Sequence, residues 1–317
     1  MPHRKSVAAV LLSLAALLPA GPAQAAQPVP LMILAAGTLA RPFRDIDRLF
    51  AKRYPGAAPQ PQFGGSVKMA REITQLHQPA DILAVADYNV IPQYLFPAYA
   101  RWYAGFARNA ITFVYTRESK YAAEATPANW YRVLARKGVE IGRSNPDTDP
   151  SGYQTVQMLA LAERYYKAPG LAAQILANAP RANMRDTETS LIAALQLHQI
   201  DYLAIYRSDA LQHHFQYLHL PPQIDLSDPG YAGIYREAVA NTKNGGLAGR
   251  PIVYAVTIPN RAPHPEWAQK YVALLLGPEG QAVMQQSGFG VLDPPYAVGE
   301  AAMPQALRAL VKPWPGS

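Results

Sequence analysis

The stretch Leu31-Met32-Ile33-Leu34-Ala35-Ala36-Gly37-Thr38-Leu39 decides how this chain is read. Its apolar run, Leu31 to Ala35, has the character of a buried strand. Small residues and a hydroxyl end the run. Phe43, Ile46, Leu49 and Phe50 then follow at helical spacing, and Tyr54-Pro55-Gly56 stops the helix. The same order returns at Gln62-Phe63-Gly64-Gly65-Ser66, before a helix marked by Val67, Ala70, Ile73 and Leu76. A third version is Asp149-Pro150-Ser151-Gly152. A helix start leaves backbone N–H groups without intrahelical partners and carries about half a positive charge. Glycine lets a ligand reach the backbone, and Thr or Ser adds a donor. Each motif is therefore a candidate oxyanion site that needs no formal charge. Thr38, Ser66 and Ser151 could each be a plain helix cap. Three such starts in one chain favour a shared anion.

Further strands are predicted over Asp81–Ala86, Asn109–Thr116, Val139–Gly142, Tyr202–Tyr206 and Pro251–Pro259. Helices are predicted over Thr155–Tyr166, Thr189–Leu197, Glu266–Leu276 and Gly280–Gln286, and Asp228–Gly249 reads as loop with one short helix. Strands alternating with helices give an α/β fold with largely parallel sheets. The long strands near 110–116 and 251–258 are the expected crossings between two lobes. The organisation expected is residues 26–112 plus 257–317 in lobe 1 and 113–256 in lobe 2.

At 317 residues the chain is long enough for two domains, and half of its residues are hydrophobic. It has no cysteine, which excludes disulfides, thiolate metal sites and cysteine nucleophiles. The 30 prolines are scattered, without collagen-like or P-x-x-P periodicity. Arg4 and Lys5, the apolar run Val7 to Leu18 and Ala23-Gln24-Ala25 form the pattern of a secretory signal peptide over residues 1–25, cleaved after Ala25. Export to the periplasm is the expectation. Without that segment 27 basic and 22 acidic residues remain, a net +5 in place of +7. The basic residues are dispersed, which suits a small acidic ligand and speaks against nucleic acid.

Tyr202 and Tyr206, four apart on one strand, share a face, and Tyr206 at the strand end is the better candidate donor to an anion. His213 and His214 are adjacent, so they point apart, and His198 and His219 lack ligand spacing. No Gly-x-Ser-x-Gly elbow and no H-E-x-x-H is present. No catalytic residue is assigned, and a binding protein rather than an enzyme is expected.

Taken together, Ala36-Gly37-Thr38-Leu39, Gly65-Ser66-Val67-Lys68, Ala80 to Tyr88, Trp102-Tyr103, Phe106-Ala107-Arg108-Asn109, Asn129-Trp130-Tyr131, Asp149 to Tyr153, Leu220-Pro221 and Pro251-Ile252-Val253-Tyr254 resemble the tungstate/molybdate-binding proteins of ABC importers. The resemblance covers nearly all of the chain after the signal peptide. It implies a two-lobed periplasmic-binding fold (type II), with a hinge of two crossing strands and a ligand cleft between the lobes. Its ligand would be molybdate or tungstate, without a cofactor. Its partner would be an inner-membrane ABC permease, and the chain would act as a monomer. The ligand-binding residues expected on this basis are Thr38, Ser66, Asp149, Ser151, Ser190 and Tyr206.

The resemblance also places a metal-binding glutamate of the archaeal branch at the position of Ile205. An isoleucine cannot ligate a metal, so no direct protein ligand to the metal is expected and the ion would stay tetrahedral. Asp149 would then turn away or bind only when protonated, because a carboxylate beside a dianion is repulsive. Sulfate, phosphate or iron(III), the last on Tyr153, Tyr206 and Asp149, remain alternative ligands. A secreted enzyme on the same fold is the alternative from another class.

Overall fold

The computed structural model describes residues 27–315. The signal peptide read over residues 1–25 lies outside them. The strands are β1 (Val29–Ala36), β2 (Ala57–Gly64), β3 (Ile82–Val85), β4 (Tyr103–Arg108), β5 (Ile111–Tyr115), β6 (Ile141–Ser144), β7 (Met184–Arg185), β8 (Tyr202–Tyr206), β9 (Gln216–Tyr217), β10 (Val239–Thr242), β11 (Gly245–Ala248), β12 (Val253–Thr257), β13 (Gly290–Val298) and β14 (Lys312–Pro313). They build a seven-stranded sheet in the order β14-β13-β4-β12-β3-β1-β2 and a five-stranded sheet in the order β7-β6-β8-β5-β9, with β10 and β11 as a separate hairpin.

These two sheets are the cores of the two lobes. The βα repeats near the start pair in parallel, β1 with β2 and with β3, because each returns through a helix. β6 also pairs in parallel with β7 and β8, and β13 with β14, but the remaining pairs depart from the expectation of largely parallel sheets. β12 runs antiparallel to β3 and β4, β13 to β4, and β5 to β8 and β9. The residues around 110 and 250 that join the sheets carry the chain across without a crossover helix, so the strands they feed arrive reversed. β5 pairs only within the second sheet and β12 only within the first. The passages fall at 109–110 and at 249–252. The stretch 228–249 also differs from a loop, since it holds the hairpin β10–β11 beside the short helix Ala232–Tyr235.

The helix Ala40–Arg53 buries Phe43, Ile46 and Phe50 against the first sheet, as their spacing requires. Ser66–Thr74 buries Val67, Met69, Ala70 and Ile73, and Leu76 falls beyond its end, exposed. In the second lobe the helix Pro150–Tyr165 starts with proline in its first turn, where a missing N–H costs nothing. The helix expected at Thr189–Leu197 is a 3₁₀ turn, Glu188–Leu191, running into Ile192–Gln196. Among the described residues no helix is long and apolar enough to cross a membrane.

Candidate functional site

Thr38 sits in the 3₁₀ turn Gly37–Leu39 that follows β1 and is buried. Its hydroxyl lies 2.9 Å from the Tyr254 hydroxyl. Tyr254 comes from the middle of β12 and also accepts a 3.4 Å hydrogen bond from the Asn109 amide. Ser66 opens its helix with its side chain fully buried, and its Oγ accepts the Ala86 N–H at 2.9 Å. That leaves the Ser66 hydroxyl proton available as a donor. The first-turn N–H groups of Ser66 and Val67 have no intrahelical acceptor, as at any helix start.

From the second lobe come Asp149, at the N-cap of Pro150–Tyr165, and Ser151 in its first turn, both buried. Ser151 Oγ lies 2.7 Å from Asp149 Oδ2, 2.8 Å from Glu188 Oε2 and 2.5 Å from Ser144 Oγ. Glu188 is only 2% exposed, and its carboxyl group shares the Ser151 hydroxyl with that of Asp149. The Ser144 and Ser151 hydroxyls are the donors beside the two acids, and burial favours the protonated form of each carboxyl group. Burial, and then the charge of Glu188, push Asp149 well above the ordinary carboxylate range. Burial raises Glu188 as well, and it pushes nearby Asp209 up to about 8.

Ile205 lies apart from this pair. Alternation along β8 turns Tyr202, Ala204 and Tyr206 to one face and Leu203 and Ile205 to the other. Ile205 packs with Val114, Leu191 and Leu195 in an apolar cluster, away from the acids. Position 205 therefore faces away from the acids, and Glu188 is the carboxyl group beside Asp149. Sequence reasoning missed it because a glutamate in a first helical turn is the ordinary surface choice, and no local pattern marks this one as buried.

Two other candidate residues have protein partners here. Tyr206 is buried, but its hydroxyl donates to Gln154 Oε1 at 2.7 Å instead of being left for an anion. Ser190 is exposed, and its N–H goes to the capping Thr187 hydroxyl at 3.3 Å. Ser190 does line the mouth of a cavity of about 800 Å³, together with Thr38, Thr187, Thr189, Arg41 and Arg44. Hydroxyls line that mouth, and two guanidinium groups give it positive charge.

The lobes meet around this site. Lys68 N–H donates to the Thr148 carbonyl at 3.2 Å, and the Tyr153 hydroxyl donates to Asp87 Oδ2 at 2.7 Å. A Cβ on Gly65 would overlap the Thr148 carbonyl oxygen, and one on Gly37 would lie 3.0 Å from Thr189 Oγ1. The cleft is closed, and its walls come from the starts of helices in both halves. Among the described residues no group of three or more His, Cys, Asp or Glu could hold a metal ion.

The chain is similar to known proteins over most of its length. A molybdate/tungstate-binding protein of Thermococcus kodakarensis is 36% identical over 310 residues, covering 89% of this chain and 88% of the relative. An uncharacterized solute-binding protein of Petrotoga mobilis is 38% identical over 288 residues, covering 89% of this chain and 90% of the relative. The periplasmic molybdate-binding protein of Azotobacter vinelandii superposes with a TM-score of 0.59 at 17% identity, covering 82% of this chain and 98% of that structure. The sequence profile of the bacterial extracellular solute-binding proteins matches residues 31–290, and the chain belongs to that family.

Proposed function

We propose that this protein captures molybdate or tungstate in the cleft and passes it to the permease of an ABC importer, and that Asp149 and Glu188 help to hold the metal. The observation that carries this reading is the buried carboxyl pair among hydroxyl donors. Protonated, the two acids could only donate hydrogen bonds as the hydroxyls already do, and when ionised they would repel an ion held by hydrogen bonds alone. A molybdenum or tungsten centre can accept oxygen ligands beyond its oxo groups, whereas sulfate and phosphate keep their tetrahedral shells. On this reading the pair, protonated by its burial, releases its protons to solvent as the anion enters and offers carboxylate oxygens to the metal. Selection against sulfate then rests on chemistry as well as on cavity size. The name of the Thermococcus relative supports the ligand.

Iron(III) is the weaker reading. It would call for phenolates, while Tyr153 and Tyr206 are buried phenols whose pKa values are pushed up and whose protons are given to Asp87 and Gln154. The binding role implied by the family, with no nucleophile–base pair assigned, favours capture over turnover.

X-ray absorption on the molybdate complex tests the pair. Oxygen neighbours beyond the oxo shell are expected, and they should be lost in Glu188→Gln together with a roughly tenfold to hundredfold drop in affinity. A bare oxo shell in the wild-type complex would remove the pair from the ligand set. Calorimetry that found sulfate or phosphate bound in preference to molybdate and tungstate would overturn the ligand itself. We also propose that the exported, monomeric form begins at Ala26 in the periplasm. Mass spectrometry of periplasmic protein should find that terminus, and residues 1–25 retained would refute it.

A further inference from the structure

A second cavity, of about 780 Å³, lies apart from the cleft. None of Thr38, Ser66, Asp149, Ser151, Glu188 or Tyr206 lines it. Its walls are the first sheet, through Arg108 on β4, Val253 on β12 and Tyr296 on β13, and the segment 229–251, which contributes Arg236 and Arg250. Side chains on a strand alternate, so β12 shows Val253 to this cavity and Tyr254 to the oxyanion cleft.

The lining has two chemistries. Arg108, Arg236 and Arg250 bring three guanidinium groups, and Asp293 is the sole carboxylate in the lining. Among the described residues none of these arginines has a carboxylate within ion-pairing distance. Among the described residues, Arg236 and Arg250 donate to the carbonyls of Ala232 and Ala248, each at 3.3 Å, and each guanidinium has further N–H groups to offer an acceptor. The other chemistry is aromatic. Tyr88 and Trp314 lie 4.7 Å apart, and Tyr296 is 6.4 Å from Trp314. Arg250 sits 5.9 Å from the Tyr88 ring. A bare oxyanion would leave this volume largely unfilled and the rings unused. A cavity of several hundred Å³ with apolar walls and a few convergent polar groups is instead the usual form of an organic-ligand site.

We propose that this cavity is a second binding site, for a small molecule that carries a flat aromatic body and one acidic group, a carboxylate or a phosphate. The ring would pack on Tyr88, Tyr296 and Trp314, and the acid would take paired N–H donors from Arg236 and Arg250.

The test titrates phenyl phosphate, benzoate and the uncharged benzyl alcohol into the mature chain, read by calorimetry and by tryptophan fluorescence. The protein is first saturated with molybdate, so that the cleft is filled. Saturable binding of one phenyl phosphate or benzoate per chain is expected, with benzyl alcohol at least tenfold weaker. Arg236 is exposed, so Arg236→Gln should fold normally, and it should weaken the acid probes roughly tenfold while leaving molybdate affinity unchanged. Trp314→Phe should remove the fluorescence change but keep the heat of binding. No binding of either acid probe, binding displaced by molybdate, or equal binding in Arg236→Gln would each overturn the proposal. Should the protein not bind molybdate at all, the Arg236→Gln comparison decides alone.

Discussion

Asp149, Glu188 and Asp209 meet in one buried region, and burial raises the pKa of each. Asp209 is the one whose consequence is simplest to read. A carboxyl group whose pKa is higher in the fold than in the unfolded chain binds more protons when folded. Stability therefore falls as pH rises from 3.8, its unfolded value, towards about 8, and it levels off above that. Asp209→Asn should flatten this slope and stabilise the ligand-free protein at pH 8 by at least about 1.4 kcal/mol, one pKa unit's worth. Urea unfolding at several pH values measures it, and parallel slopes for the two proteins would contradict it. Thr38, Ser66, Asp149 and Ser151 were legible in the sequence because each belongs to a short strand-to-helix motif. Glu188, Asp209 and Tyr254 were not, since their burial depends on elements far apart in the chain.

Single strands show the same limit. β8 was read over its full length, Tyr202 to Tyr206, because its apolar run is bounded on both sides. Which residue faces which core was not readable, since all five are buried and no polar alternation marks the faces. The structure puts Ile205 in the cluster with Val114 and Leu195. Ile205→Glu should therefore cost about 3 kcal/mol or more, as a carboxylate buried among apolar neighbours, and should supply no ligand. Ile205→Val, which keeps the shape, should cost about 0.5–1.5 kcal/mol. Thermal melts of both variants test this, and a glutamate variant as stable as wild type would show that position 205 faces water or the site. The antiparallel strands β4 and β13 escaped the sequence reading for a related reason. Tyr103–Arg108 and Gly290–Val298 contain glycines or prolines that resemble turns, and they become strands through pairing with each other.

Across the whole molecule, the order of βα units and the motif set were enough to anticipate two lobes and a cleft. How closely the lobes approach was not, because it depends on surfaces built from segments far apart in the chain. Gly65 marks that approach. Its backbone, at φ −61° and ψ 133°, suits any residue, yet a Cβ there would overlap the Thr148 carbonyl oxygen of the other lobe. Gly65→Ala should leave the ligand-free fold intact and still weaken ligand binding at least tenfold, a loss of about 1.4 kcal/mol or more. Calorimetry beside a thermal melt separates the two effects. A variant that binds normally would mean that the lobes hold the ligand without this contact.

The hydrogen bond from the Lys68 amide to the Thr148 carbonyl crosses the same gap. When the lobes part, that amide loses its acceptor and meets water. Its hydrogen-for-deuterium exchange in the loaded protein is thus a clock for the whole molecule. The slower it runs, the longer the cargo stays aboard, and a permease that speeds it is prying the lobes apart.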